Sequence, residues 1–498
     1  MGLFSDEPSD EGLPGPARRL AMIAVMTATA MAVLDGSIVN VALPSISKAL
    51  NVSPAATVWV ANGYLLSAAM TLITFASLAS RVGFRALFAG GLIVFTLASL
   101  GCALSTSLDM LTVMRLLQGI GGAAALSIGP AVYRTVFPTR LLGRILGLNA
   151  LLVAASTAIG PTLGGTLLTV LGWQWLFAIN VPLGAVAIVL SLRAIPDNRT
   201  PVTAPFDIPG ALLSALAMGA LIMATDACSR LGDPATHARV VAEAIAYGVF
   251  AVVCGALFVF RQRRAVQPLL PLDLFDSSRF SLAALTSLAS FIGQGITFIA
   301  LPFLFQNAYG YSAFTSALLF TPWPIGIVLA APHAGRLADR YPPAVLSTAG
   351  LAAFTIGMGL LALLPMHATP WDIGWRAFVC GIGFGFFQSP NNREMLGNVS
   401  RARSGSASGV LAIMRTFGQC FGAAVVAIVL AVSTAPGAPN SAGDHGDVLS
   451  HVVDPALAQM QAAIQDAHAT RWSLLIATAA GLIATMISLT RLKAGLKR

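Results

Sequence analysis

Three charged residues, Asp35, Arg115 and Arg415, fall well inside apolar runs long enough to cross a lipid bilayer, away from their ends. No water solvates a charge at that depth, so each must face a partner or a cavity, and such residues commonly mark ion or substrate pathways. Asp35 sits in "AVLDGSIVNVALPSI" and Arg115 opens "RLLQGIGGAAA". Counted at about 1.5 Å per residue, they lie roughly 13 Å and 9 Å from one membrane face, within a helical turn of each other in depth. Burial favours the protonated carboxyl, whereas a nearby guanidinium favours the charged one. A carboxylate between these pulls can take a proton from one side and release it on the other. The competing reading is a permanent ion pair that pins the first span to the fourth. Arg415 lies near mid-span with no acid at matching depth in the second half. It could bind an anionic group, pair across to the first half, or bond to backbone carbonyls.

These charges need helices to hold them. The chain has 498 residues, 56% hydrophobic and 10% charged, with a mean hydropathy of +0.80. Soluble domains carry about 25% charged residues, so lipid is the main solvent here. Apolar windows recur at 20–44, 57–79, 86–105, 109–132, 145–170, 174–194, 208–228, 241–261, 280–305, 313–334, 344–365, 373–392, 405–433 and 470–490, which predicts fourteen membrane-spanning helices. "ARRLAMIAVMTATAMA" has the layout of a cleavable signal peptide, but the apolar run continues to Pro44, so an uncleaved first helix is expected. Most of the 29 basic residues then fall on one face, against Lys48, Arg230, Arg239, Arg376 and Arg471 on the other. The positive-inside rule places both termini in the cytoplasm.

Several function classes drop out. The net charge of +9 comes from scattered residues rather than a basic patch, so no nucleic-acid partner is expected. The five cysteines, Cys102, Cys228, Cys254, Cys380 and Cys420, form no CxxC pair. His445, Asp447, His451 and Asp454 share a polar loop without a spacing that fixes a metal site, and none is expected. The GxGxxA string in "RLLQGIGGAAA" has no strand before it, and no GxxxxGK[ST] occurs, so neither a dinucleotide fold nor an ATP-driven pump is predicted. No nucleophile or metal constellation suggests an enzyme.

The chain also reads as duplicated. "FASLASRVGFR" aligns with "HAGRLADRYPP", placing Leu78 on Leu337 and Arg81 on Arg340. Gly143, Gly147 and Gly160 repeat as Gly405, Gly409 and Gly422 at nearly the same offset. The expected division is a tail 1–19, a six-helix bundle 20–195, two inserted helices with a linker 196–279, a second bundle 280–491 with a periplasmic loop 434–469, and a tail 492–498. "DVLSHVVDPALAQMQAAIQDAHA" in that loop suggests a surface helix, and "RQRRAVQPLLPLDLFDSSRF" an amphipathic linker. In the fifth span, "STAIGPTLGG" places Gly160, Pro161, Gly164 and Gly165 together, a deformable contact where one half can seal against the other.

Taken together, "LDGSIVNVALP", "RLLQGIGGAAA", "STAIGPTLGG" and "WQWLFAINVPLG" give the chain a resemblance to the major facilitator superfamily, and within it to the fourteen-helix drug:proton antiporters. The resemblance covers nearly the whole chain. It implies an all-α integral membrane protein of the major facilitator fold, with two six-helix bundles plus two inserted transmembrane helices. It implies a proton-coupled multidrug efflux transporter that exports amphipathic small molecules across the bacterial inner membrane, monomeric and without cofactors. Asp35 and Arg115 would couple protons. Asn40, Asn62, Tyr64, Gln118, Phe291, Gln294, Phe298, Trp323, Gln388 and Arg415 would line a central cavity. The family loop after the second helix, GxLaDRxGRK, reads "ASLASRVGFR" here, with Ala76 and Ser80 replacing the glycine and the acid. The second copy keeps Gly335, Asp339 and Arg340 but ends in Pro342 and Pro343, so the gating latch (Arg81, Asp339, Arg340) rests more on the second half. Asn62, where some relatives carry an acid, argues against dicationic substrates. The alternatives are an exporter or proton symporter of one metabolite and, from another class, a membrane sensor or scaffold.

Overall fold

The computed structural model describes residues 12–197, 206–229, 237–265, 268–270, 272–338, 340–365, 368–397, 404–434 and 455–495. The long helices are α1 (Gly15–Leu50), α2 (Pro54–Val82), α3 (Phe84–Ala103), α4 (Leu108–Val136), α5 (Thr139–Val170), α6 (Trp175–Ala194) and α7 (Ile208–Ser229). They continue as α8 (His237–Arg264), α9 (Ser278–Ala308), α10 (Ala313–Leu337), α11 (Pro343–Ala362), α12 (Pro370–Gly397), α13 (Ser404–Thr434) and α14 (Pro455–Gly495). Among the described residues, 12 helices are long and apolar enough to cross a membrane. The other two, α5 and α12, are of comparable length and run within the same bundle.

Local sequence explains the short connections. The hydroxyls of Ser53, Ser107 and Ser312 accept backbone N–H bonds that cap α2, α4 and α10. Gly83, at φ 99°, turns α2 into α3 with one residue between them.

The helices outrun the apolar windows. α1 passes through Pro44 to Leu50, because hydropathy reports where lipid is, not where backbone bonding stops. Pro44 forgoes one amide bond, which a packed bundle tolerates. Residues 455–469, expected as part of a loop, are the first turns of α14 rather than a separate surface helix. Arg18 and Arg491 lie in helices and are 1% and 2% exposed. Arg18 donates to the Leu13 carbonyl, and Arg491 donates to Asn391 and Ser347 and lies 3.4 Å from Glu394. His445, Asp447, His451 and Asp454 lie outside the described residues.

One pairing scheme recurs in the two sets of six helices. α1 packs on α5 and α6, α2 on α4, and α3 on α4 and α6; likewise α9 packs on α13 and α14, α10 on α12, and α11 on α12 and α14. α7 lies against α2 and α13, and α8 packs on α7. At the base of this pair, Asp207 accepts from Arg261 and Gln262, and Gln262 Oε1 accepts from the Leu269 and Leu270 backbone amides.

The two sets meet along two seams. α2 and α13 run together at Ala68, Leu72, Ile73 and Ile413. On the other side, α5 touches α10 near the ends away from the termini, where Thr162 and Thr321 hydroxyls are 3.0 Å apart. At that far face one apolar core joins both sets, mixing Ile38, Leu43 and Phe177 with Phe303, Phe320 and Trp323. Toward the face of the termini the cores are separate: one holds Val25, Phe88 and Tyr133, another Phe280, Met395 and Ala407.

Backbone approach at Gly383 sets the α11–α12 crossing, since an added Cβ would abut the Phe354 backbone and stand 2.8 Å from the Ala353 carbonyl carbon. Gly383→Val is expected to destabilise the protein by about 1–3 kcal/mol by overpacking, read as a lower unfolding temperature in detergent. Gly409→Ala, where the added methyl meets nothing within 4 Å, should leave that temperature unchanged or raise it.

Candidate functional site

Between the two sets lies a cavity of about 500 Å³, the size of sites that hold drug-like molecules. Its wall draws on α1, α2, α4 and α5 from the first set and α9, α10, α12 and α13 from the second. It is mostly apolar, with Phe291, Phe298, Phe384 and Tyr64 among its larger side chains.

Behind this wall the structure brings Asp35 and Arg115 together. Arg115 donates from one guanidinium nitrogen to Asp35 Oδ2 at 2.5 Å, and the pair is almost fully buried, at 1% and 0% side-chain exposure. Asp35 Oδ1 accepts from Gln118 Nε2 at 2.8 Å and from Asn180 Nδ2 at 3.0 Å. Arg115 Nε donates to the Val60 carbonyl at 2.7 Å, and its guanidinium lies 4.5 Å from the centre of the Tyr64 ring. Gln118 also donates to Ser99 Oγ at 2.8 Å. Arg115 and Tyr64 line the cavity, and Asp35 sits one layer behind them. The carboxylate therefore points into the bundle, away from lipid, with a cation between it and the cavity.

Of the expected wall residues, Asn40, Tyr64, Phe291, Gln294, Phe298, Gln388 and Arg415 are there. Three others are not. Gln118 is turned back onto Asp35 and Ser99. Asn62 accepts from the Cys420 thiol at 2.8 Å, stitching α2 to α13. Trp323 stands behind Phe298, edge-on to it with ring centres 5.1 Å apart. The wall also includes Gln419, which donates to Gln294 at 3.1 Å, and Asn392. Asn180, Ser99, Gln419 and Asn392 were not singled out from the sequence. Asn180 had a signal, as an amide within the apolar stretch "FAINVPLG"; Ser99 had none, because serines are ordinary in such helices.

The α5 glycines divide their work. A Cβ at Gly160 or Gly164 would strike Ser37 or Ile38 of α1, in the same set. Pro161 sits between them within the helix. Gly165 alone faces the other set, where its Cβ would be 2.8 Å from Ala317 Cβ. Arg81 lies over the Phe206 ring at 5.5 Å, Arg340 is exposed at the turn between α10 and α11, and Asp339 lies outside the described residues.

Comparison with known proteins identifies the architecture. The model of the Major Facilitator Superfamily matches residues 25–423. The chain belongs to the major facilitator superfamily. Among curated members, it is 40% identical to the uncharacterized transporter YebQ of Escherichia coli K12, over 93% of this chain and 98% of that one. It is 31% identical to the multidrug resistance protein Stp of Mycobacterium tuberculosis, over 83% and 76%, and 27% identical to the riboflavin transporter RibZ of Clostridioides difficile, over 81% and 86%. A solved bacterial homologue of the lysosomal transporter Spinster shares the fold, with a TM-score of 0.64 at 16% identity over 97% of this chain and 98% of that one. This major facilitator protein is thus a multi-pass membrane transporter and not an enzyme.

Removing one partner of a buried ion pair strands the other charge. Asp35→Ala and Arg115→Ala are each expected to cost about 3 kcal/mol in denaturant unfolding of the detergent-solubilised transporter. The double variant should cost less than the sum by about 1 kcal/mol or more, because each loss already abolishes the same contact.

Proposed function

We propose that this transporter exports amphipathic small molecules from the cytoplasm across the bacterial inner membrane in exchange for protons. The observation that supports this most is the placement of Asp35 one side chain behind a drug-sized cavity, paired with a wall residue, Arg115. In the state described, the charged carboxylate holds Arg115 in place. Protonation of Asp35 cancels that attraction and frees the guanidinium, so the α1–α4 contact has two arrangements set by a proton. Substrate release and proton uptake would then alternate as the far-face core parts and the opposite face closes.

All fourteen helices cross the membrane, both termini are cytoplasmic as the basic loops require, and the transporter works as a monomer without cofactors. Similarity to Stp, a multidrug resistance protein, favours export of several compounds. Similarity to RibZ, a riboflavin transporter, favours the second reading, transport of one metabolite.

The test uses purified transporter in proteoliposomes with an imposed pH gradient and a panel of amphipathic dyes. Wild type is expected to move dye against its gradient and to stop when the pH gradient is collapsed. Asp35→Asn should retain dye binding and lose at least tenfold of the gradient-driven movement, and Arg115→Ala should lose coupling too. Undiminished gradient-driven movement by Asp35→Asn sinks the assignment of the proton to this carboxylate.

A further inference from the structure

Resting on the reading of the cavity as the transport site, we infer that its substrates are amphipathic anions: a flat or bulky apolar body carrying a carboxylate, sulfonate or phosphate that docks on Arg415.

The cavity wall carries an imbalance of charge. Among the described residues, two ionised side chains reach the cavity wall, Arg115 and Arg415, and no Asp or Glu does. Arg115 is neutralised by Asp35. Arg415, a third of the way along α13, makes no hydrogen bond or ion pair with any described residue. A guanidinium is always charged and has five N–H donors in a planar fork. Leaving such a group unpaired in the middle of a membrane protein is costly, and natural cores avoid it unless something else satisfies it. The cavity is the space into which those donors are free to turn, so their partner must enter with the solvent or the substrate.

The surroundings fit an anion with an apolar body. The Gln419–Gln294 amide pair and Gln388 supply neutral polar groups on the same set of helices, able to orient the remaining oxygens. Phe291 and Phe384, edge-on with ring centres 5.5 Å apart, offer aromatic surface for the body. An organic cation in the same place would meet the uncompensated charge of Arg415 and find no carboxylate on the wall to answer its own.

The probes are 1-pyrenesulfonate and 1-pyrenemethylammonium, which share one apolar body and differ in the sign of their charge. Binding is followed by calorimetry with purified wild type, Arg415→Gln and Arg415→Lys in phosphatidylcholine nanodiscs. Wild type should prefer the sulfonate at least tenfold, Arg415→Gln should lose about tenfold or more of that affinity, and Arg415→Lys should keep part of it through charge without the fork. The unfolding temperature adds a readout that separates docking from scaffolding. Relieved of an unpaired cation, Arg415→Gln should unfold at the same or a higher temperature, whereas a structural arginine would lower it.

Equal affinity for both probes, unchanged sulfonate binding by Arg415→Gln, or a lower unfolding temperature for that variant each overturns the inference. Repeating the titration with phosphatidylglycerol in the nanodiscs separates two sources of the anion. Loss of sulfonate binding there marks a lipid headgroup as the occupant of Arg415, and unchanged binding marks a free solute. Arg415-dependent binding of the sulfonate in nanodiscs, without pH-gradient-driven movement of it in proteoliposomes, would overturn proton-coupled export and leave the anion site standing.

Discussion

A lipid interior offers no water to a charge, and Asp35 meets that constraint by engaging donors from two other helices. Arg115 and Gln118 come from α4 and Asn180 from α6, and Ser99 of α3 braces Gln118 from behind. Three helices of the first set thus meet at one carboxylate, and a fourth supports it through Gln118. The network is satisfied only while the carboxylate is an acceptor, because a protonated carboxyl gives up acceptor capacity and its charge. Packing of the first set and the protonation state of a single group are consequently tied together.

Among the described residues the second set has no such centre at the cavity, and the two sets are joined unequally. The far face is one continuous apolar core with neutral hydrogen bonds across it, from Gln306 to the Val41 carbonyl and from Ser45 to Gln306. The face of the termini has separate cores, and the cavity wall there is made of residues such as Val153, Leu126, Ala331 and Asn392. α7 covers the α2–α13 seam, with Asp226 accepting from the Trp59 indole. No similar helix lies on the α5–α10 side among the described residues.

Much of this was legible in the sequence, for reasons that also mark where legibility ended. Apolar windows located the helices because the bilayer demands them, and the depth of Asp35 and Arg115 brought them within reach because both lie in regular helices of fixed rise. Depth says nothing about rotation around a helix axis. Gln118 and Asn62 have the right type and depth for the cavity wall yet face Asp35 and Cys420, and Trp323 is screened by Phe298. Gly160, Gly164 and Gly165 read as one motif, but a turn of 100° per residue sends them to different neighbours. The path of α1 past Pro44 depended on tertiary support that no local pattern records.

Asp35 is a carboxylate bonded to a side chain of the cavity wall. In the cycle proposed above, a single carboxylate would carry one proton per turnover, which would limit the work available to each turnover. One elementary charge crossing the membrane is worth about 2.3 kcal/mol per 100 mV, roughly a fortyfold concentration ratio for a neutral solute. For a monovalent anion leaving as the proton enters, both movements carry charge in the same electrical sense, and the membrane voltage contributes twice.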